Sequence, residues 1–177
     1  MEQLKTEIEE DLPIDWKVYS LEQQNSTQGP DFLMWEHPEY PSKGVTALVA
    51  AKAAKNQGEA SFMKFHIAAY QARHDDQKDI ADRKVLNDLA KTADLDLNQF
   101  KKDLDKDATW QAVGKDHKES KDKYDIFGVP TLVFGPGKAV FVKLQYIPES
   151  KEERISLFNL VRDMGAQMPH LLELKRP

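Results

Sequence analysis

The chain has 177 residues, a hydrophobic fraction of 40%, a charged fraction of 31% and a formal net charge of -5. This length and composition suit one ordinary globular domain that buries roughly two thirds of its unfolded surface. The acidic net charge argues against nucleic-acid binding, no apolar run approaches the roughly 20 residues of a membrane span, and the acidic first residues are unlike a signal peptide. We therefore expect a cytoplasmic protein with no nucleic-acid or membrane partner.

The first part of the chain predicts a helix, a strand and a long loop. Apolar residues at helical spacing predict a short helix over residues 1–11, which Pro13 ends. The alternation of β-branched and aromatic residues over 14–21 predicts a strand. Frequent glycine and proline over 22–44 predict a loop, and its aromatic residues indicate that it packs against the protein. These aromatic residues are Phe32, Trp35 and Tyr40.

A long helical block follows the loop. Ser42 is placed to cap the first helix of this block, and Gly114 weakens the middle of the last one. The helical period of the apolar residues predicts five helices. They span residues 45–56, 60–74, 79–93, 97–104 and 109–124.

The remaining sequence predicts a β-hairpin and a final helix. Residues 131–134 and 139–144 alternate with period two on either side of a Gly-Pro-Gly turn. Ser150 and Glu153 form the capping-box pattern Ser-x-x-Glu at the start of the final helix. We expect this helix to end at Gly165.

The order of these elements and three stretches of sequence resemble the DsbA family, in which a helical domain interrupts a thioredoxin core. The ending, with Ile147-Pro148 and residues 168–176, looks like the mycothiol-dependent nitroreductases of that family, and isomerases of the hydroxychromene carboxylate type are similar members. The resemblance covers nearly the whole chain. The three stretches are Trp16 to Leu21; Ala69 and Ala72 followed by Asp79-Ile80 and Val85-Leu86; and Phe127-Gly128-Val129-Pro130-Thr131.

The resemblance implies an α/β fold. Its thioredoxin-like core is expected over residues 1–44 and 127–177, with an all-helical insertion over 45–126. It also implies a cis peptide bond before Pro130 and a groove lined by Val129, Pro130 and Thr131. In the family this backbone pairs with a peptide or a small thiol, so glutathione and mycothiol are the candidate cofactors.

The sequence departs from the family at its beginning. Family members open with a strand and a Cys-Pro-x-Cys turn, or with serine in that turn, whereas this sequence has neither the turn nor any cysteine. Thiol-disulfide exchange requires a thiolate, so we expect the chain as given to be inactive in it. We expect the first core strand to be missing, and we interpret the sequence as a truncated reading of a longer gene. In two alternatives, the strand over 14–21 pairs with residues 131–134, or another chain donates a strand, as in a homodimer.

Two functions follow, and whether the chain is an enzyme stays open. In the first, it is an oxidoreductase-type protein of the DsbA family that lacks the redox-active cysteines. In the second, it is a non-catalytic binding domain that uses the proline groove or an exposed sheet edge. Its ligand would then be a peptide, a thiol cofactor or a partner chain.

Several other residues could be drawn as sites but have simpler interpretations. Acidic residues that enter a helix cap it, so the acidic run near the third predicted helix does not predict a metal site. Helix histidines are interpreted as hydrogen-bonded residues, His170 at most helps to close a pocket, and large aromatic residues are assigned to the core. The residues concerned are His74, Asp75, Asp76, Asp79 and Asp82; His66 and His117; and Trp35 and Trp110.

Overall fold

A computed structural model of the chain describes residues 4, 7, 8 and 12–171. It contains two compact units, which we call the hairpin unit (residues 1–17 and 119–177) and the helical unit (residues 18–118). The helix predicted over residues 1–11 falls largely outside the described residues. The predicted domains, 1–44 with 127–177 and 45–126, divide the chain at other positions and stay a prediction.

The helical unit is built around one alanine-rich helix. This helix, α2 (Val45–Lys55), packs against the three helices that follow it, and its Val45, Val49, Ala50, Ala53 and Ala54 have no exposed surface. All five predicted helices are present, although α4 begins at Arg83 because Asp82 caps it. The elements are α1 (Leu21–Gln24), a 3-10 helix (Met34–Glu36), α2 (Val45–Lys55), α3 (Glu59–His74), α4 (Arg83–Thr92), α5 (Leu97–Leu104) and α6 (Asp107–Tyr124), within which the unit boundary falls.

The strand predicted over residues 14–21 is wrong. Residues 12–20 have no regular secondary structure, and Leu21 begins α1. Ser20 keeps an extended backbone, but its hydroxyl oxygen accepts a hydrogen bond from the Gln23 N–H at 3.0 Å and so caps α1. The alternating pattern therefore belongs to an irregular segment that pairs with no strand in the part of the chain that the structure describes.

Side chains of α6 satisfy the backbone of this segment within the helical unit. The Val18 N–H donates to Asp116 Oδ2 at 3.0 Å, and the Ser20 N–H donates to His117 Nδ1 at 3.2 Å. Lys52 Nζ lies 2.5 Å from the same Asp116 oxygen, and both charged side chains are largely buried. Because buried N–H groups require acceptors, the helix supplies here what a neighbouring strand would supply in a sheet.

The start of α2 is capped by two side chains that precede the helix. The Val45 N–H donates to Ser42 Oγ at 2.8 Å, which confirms the predicted cap. The Ser42 hydroxyl in turn donates to Glu22 Oε2 at 2.7 Å, and the Gly44 N–H donates to the same oxygen at 3.0 Å. Burial acts to raise the pKa of Glu22, but these hydrogen bonds outweigh it and hold that pKa below its ordinary value.

The hairpin unit contains the predicted β-hairpin and final helix, with shorter strands than predicted. Strand β1 (Thr131–Val133) pairs antiparallel with β2 (Ala139–Phe141). The Phe134 N–H donates to Lys138 O at 2.9 Å and the Val142 N–H donates to Pro130 O at 3.0 Å, so pairing continues one residue beyond each strand. The register is Thr131 with Phe141, Leu132 with Val140, and Val133 with Ala139.

Helix α7 (Lys151–Gln167) packs on one face of the hairpin. The prediction that it ends at Gly165 is wrong, since this glycine lies inside the helix. A Cβ at Gly165 would lie 2.6 Å from Val140 Cγ2 and 2.8 Å from Phe134 Cδ2, so the close approach of the hairpin requires glycine there. The predicted cap is confirmed, because Ser150 Oγ accepts from the Glu153 N–H at 3.2 Å.

The described residues thus form a mostly helical α/β protein with one two-stranded sheet. Among them, no helix is both long enough and apolar enough to cross a membrane.

Candidate functional site

The structure brings the predicted site residues Val129, Pro130 and Thr131 together in the loop that leads into β1. The peptide bond between Val129 and Pro130 is cis. The Thr131 hydroxyl donates to Gly128 O at 2.7 Å, and Pro130 O accepts from the Val142 N–H. The loop is therefore held by its own side chain on one side and by the hairpin on the other.

The edge of β1 that faces away from β2 is open among the described residues. Hydrogen-bonded and non-hydrogen-bonded pairs alternate along an antiparallel ladder. Phe134 and Lys138 form a hydrogen-bonded pair, so Thr131 and Val133, at odd offsets from Phe134, belong to non-hydrogen-bonded pairs. Their N–H and C=O groups point away from β2, and the described part of the sheet has no third strand to receive them.

Apolar side chains are exposed on the face of the hairpin opposite α7. Phe134 and Val140 contact Gly165 of α7. Side chains alternate between the two faces of a strand, so Val133 and Phe141 lie on the other face, where they are 40% and 39% exposed. Phe127 is 67% exposed, and its ring centroid lies 5.2 Å from that of Phe141. Val129 is 42% exposed. We call Phe127, Val129, Val133 and Phe141 the outward face.

The chemistry that this site offers is binding. Residues 126–134 include no carboxylate, imidazole, amine or thiol, and their one hydroxyl, on Thr131, is already bonded to Gly128 O. What remains is a row of backbone donors and acceptors beside apolar surface. Such an edge is suited to pairing with another extended chain.

His117 has a structural role, as predicted. Its Nδ1 accepts the Ser20 N–H, so that nitrogen carries no proton. The ring is buried between aromatic neighbours, with centroids 4.5 Å from Tyr19 and 5.4 Å from Trp35. Burial also raises the pKa of Tyr19, whose hydroxyl donates to Gln24 at 2.8 Å.

The other predicted candidates are dispersed. The His66 ring stacks on Phe62 at 5.6 Å, and His170 is exposed near the end of the described residues. Asp82 Oδ1 accepts from the Lys84 N–H at 2.7 Å, which confirms the capping interpretation for this member of the acidic run. Nowhere in residues 12–171, or at the three described positions before them, do three or more metal-binding side chains converge.

Both candidate tryptophans are buried in the helical unit. The Trp110 Nε1–H donates to Leu104 O at 3.0 Å, and a Cβ at Gly114 would lie 2.3 Å from Trp35 Nε1. Trp110 also lines an open cavity of about 440 Å³, together with Tyr40, Lys43 and Arg83. The core assignment is confirmed for both residues.

Phe127, Val133 and Phe141 were not predicted from the sequence as site residues. The sequence does contain a pattern that indicates this surface, because apolar residues occupy both faces of the hairpin. A sheet with one face in solvent alternates apolar and polar residues, whereas Val133 and Phe141 are apolar on the face that α7 does not cover. Apolar residues on both faces of one hairpin therefore indicate an apolar surface that α7 leaves exposed.

Comparison with known proteins gives a family match and two curated relatives. The family model described as "Thioredoxin" matches residues 4–140, which is more than half of the chain. The relatives are both described as "ClpXP adapter protein SpxH". That of Bacillus subtilis is 33% identical over 102 residues, covering 57% of this chain and 34% of the relative. That of Bacillus licheniformis is 30% identical over 131 residues, covering 72% and 43%.

The aligned part of the chain spans less than half the length of these two relatives. The family match itself extends from the start of the described residues through β1 to the middle of β2. The chain therefore belongs to this thioredoxin family.

Proposed function

We propose that this chain binds an extended segment of a partner polypeptide at the open edge of β1, without catalysing a reaction. One observation carries the proposal. The N–H and C=O groups of Thr131 and Val133 point away from β2, directly beside the exposed apolar side chains of the outward face. Strand addition uses this combination, since the main chain supplies hydrogen bonds and neighbouring side chains supply specificity.

The partner segment would extend the hairpin into a three-stranded sheet. Its backbone bonds to Thr131 and Val133, and the loop of Val129 and Pro130 lies at the beginning of the edge. Alternate side chains of a strand lie on the same face, so every second residue of the partner lies beside Val133 and Phe141. These partner residues are apolar, because they cover the outward face.

The relatives support a protein as the ligand. Each is named as an adapter, and an adapter acts by binding other proteins. The absence of cysteine from this sequence also favours binding over thiol chemistry for the chain itself.

A pair of proline substitutions tests the proposed edge. Val133→Pro removes an N–H that points away from β2, so it leaves the ladder of the hairpin intact and removes one donor from the open edge. Ala139→Pro is the matched control, since Ala139 is the register partner of Val133 and its N–H points to the opposite edge. The probe is a fluorescein-labelled hexapeptide that alternates threonine and valine, with affinity measured by fluorescence anisotropy.

We expect Val133→Pro to weaken probe binding at least tenfold and Ala139→Pro to leave it within about twofold. Circular dichroism establishes that both variants keep the secondary structure of the parent chain. Equal affinities for the parent chain and Val133→Pro would contradict the proposal, and loss of binding in Ala139→Pro alone would assign the ligand to β2. Failure of the parent chain to bind the probe would also contradict the proposed binding at the edge of β1.

A thiol-dependent reaction of the whole protein is the second proposal. Membership of the thioredoxin family favours it, and Val129, Pro130 and Thr131 would then contact a small thiol. The reacting thiolate would have to come from the cofactor, because this sequence has none. Titration with millimolar glutathione or mycothiol tests this, with the amide signals of residues 128–132 as the readout. Unchanged signals would exclude a thiol cofactor for this chain.

A further inference from the structure

We infer that the partner segment carries acidic side chains on both sides of its apolar residues, an inference that rests on the proposed function. Lys138 directly precedes β2 and Lys143 lies two residues after its end, and they are the charged residues of the segment 126–148 that contains the site. This segment has a charge of +2 in a chain of net charge -5, so the remaining residues carry -7. This stretch of the hairpin is thus basic within an acidic protein, and the nearest acidic residues in the sequence are Asp125 before it and Glu149 after it.

The two lysines are available to a partner. Both are exposed, and neither has a carboxylate within salt-bridge distance among the described residues. Several other lysines do have one: Lys52 pairs with Asp116, and Lys64 pairs with Asp94. Exposed lysines that have no ion pair among the described residues, and that lie near exposed apolar surface, favour a partner of the opposite charge.

The spacing of the lysines indicates where the acids lie. Lys143 lies five positions after Lys138, which corresponds to about 17 Å along an extended strand. A partner strand beside β1 lies two strand spacings from β2, or about 10 Å, which is close to the Debye length at moderate ionic strength. Acidic residues about five positions apart, flanking the apolar residues that cover Val133 and Phe141, match this geometry.

A second copy of this chain matches the surface less well. Two copies paired through their β1 edges would each present Lys138 and Lys143, and the segment 126–148 offers no acid to neutralise them. Like charges at an interface oppose association. The geometry therefore points to an acidic segment of a different polypeptide.

Two charged probes and a double charge reversal test the inference. In one labelled probe, glutamate replaces the first and last residues of the threonine and valine hexapeptide, so the two acids lie five positions apart, and in the other probe lysine replaces them. The protein variants are Lys138→Glu/Lys143→Glu and, as the matched control, Lys115→Glu, which changes an exposed lysine of the helical unit. Affinities are measured by anisotropy at low and at moderate salt concentration.

We expect the glutamate probe to bind the parent chain about tenfold more tightly than the lysine probe at low salt, with a smaller ratio at moderate salt. The double reversal should invert this preference, and Lys115→Glu should preserve it. Equal affinities for the two probes that still depend on Val133 would overturn the acidic partner and leave the proposed function standing. Failure of every probe, the neutral hexapeptide included, would overturn both. Self-association of the chain that Val133→Pro abolishes would assign the edge to a second copy.

Discussion

At the scale of single residues, the helical unit depends on side chains that supply missing backbone partners. Glu22 and Ser42 accept N–H groups at the start of α2, and Asp116 and His117 accept N–H groups of Val18 and Ser20. The Ser42 cap could be predicted because it is local in sequence. The Asp116 contact spans 98 residues, and no local pattern indicates it.

The Glu22 carboxylate makes stability depend on pH. Its pKa is lowered in the folded chain, so its contribution is fully present above the ordinary pKa of 4.5 and is lost as pH falls through the folded pKa. Glu22→Gln should therefore lower the free energy of unfolding by about 1 kcal/mol at pH 7, a typical value for a helix cap, and by much less near pH 3. Urea unfolding across this pH range measures the difference.

Glu36→Gln is the control for this prediction, because the exposed Glu36 carboxylate has no hydrogen-bond partner among the described residues. It should change stability little at either pH. A Glu22→Gln effect that is the same at pH 7 and pH 3 would show that the carboxylate charge is not what stabilises the cap.

The buried ion pair gives a second prediction at this scale. Asp116→Ala leaves Lys52 without its buried partner and the Val18 N–H without its acceptor, so we expect a loss of about 3 to 5 kcal/mol in unfolding free energy. Lys52→Met in the Asp116→Ala background should recover part of that loss. The exposed Asp88→Ala is the control, and a loss of under 1 kcal/mol for Asp116→Ala would contradict the assigned role.

At the scale of elements, the sequence predicted most helices and strands correctly. It also predicted one strand that does not form and one helix end at the wrong residue. The helical block, the hairpin and the Ser150 cap follow from periodicity and capping patterns, which are local. Two errors, the strand over 14–21 and the end of α7 at Gly165, arose where tertiary contacts decide the outcome. Gly165 has the sequence pattern of a helix stop, yet it serves the close approach of Phe134 and Val140.

Substitution of Gly165 tests that contact. Alanine has a higher helix propensity than glycine, so replacing an exposed glycine of α7 by alanine would raise the free energy of unfolding by about 1 kcal/mol. The contacts at 2.6 and 2.8 Å instead predict that Gly165→Ala lowers the unfolding free energy by about 1 to 3 kcal/mol. Ser156→Ala, at an exposed position of the same helix, should be neutral or slightly stabilising. Stabilisation by Gly165→Ala would show that the hairpin does not pack on α7 as described.

At the scale of the whole molecule, the central feature is a thioredoxin-family chain without a thiol. The cis peptide bond before Pro130 could be predicted because Val129, Pro130 and Thr131 lie in a recognisable stretch of sequence, and their role as a site stays a prediction. The outward face was not predicted, because an apolar hairpin is interpreted as core until a structure shows which face α7 leaves exposed. The alternation of residues along a strand shows which side chains share a face. It does not show which face another element covers.

Absence of cysteine predicts the outcome of a redox assay. The chain should not accelerate the reduction of insulin disulfides by dithiothreitol, since exchange at an enzyme site requires a thiolate of the enzyme. A cysteine-containing thioredoxin serves as the positive control for the turbidity readout. Acceleration that scales with the concentration of this chain would contradict the assignment of a binding function.

The most direct test of the open edge is amide hydrogen exchange of the nitrogen-15-labelled chain, with and without the threonine and valine hexapeptide in excess. We expect the peptide to slow exchange of the Thr131 and Val133 amides, which point to the open edge, at least tenfold. The Leu132 amide, already in the ladder with Val140, should change much less. Unchanged exchange at Thr131 and Val133 at a saturating peptide concentration would contradict the claim that this edge receives a partner strand.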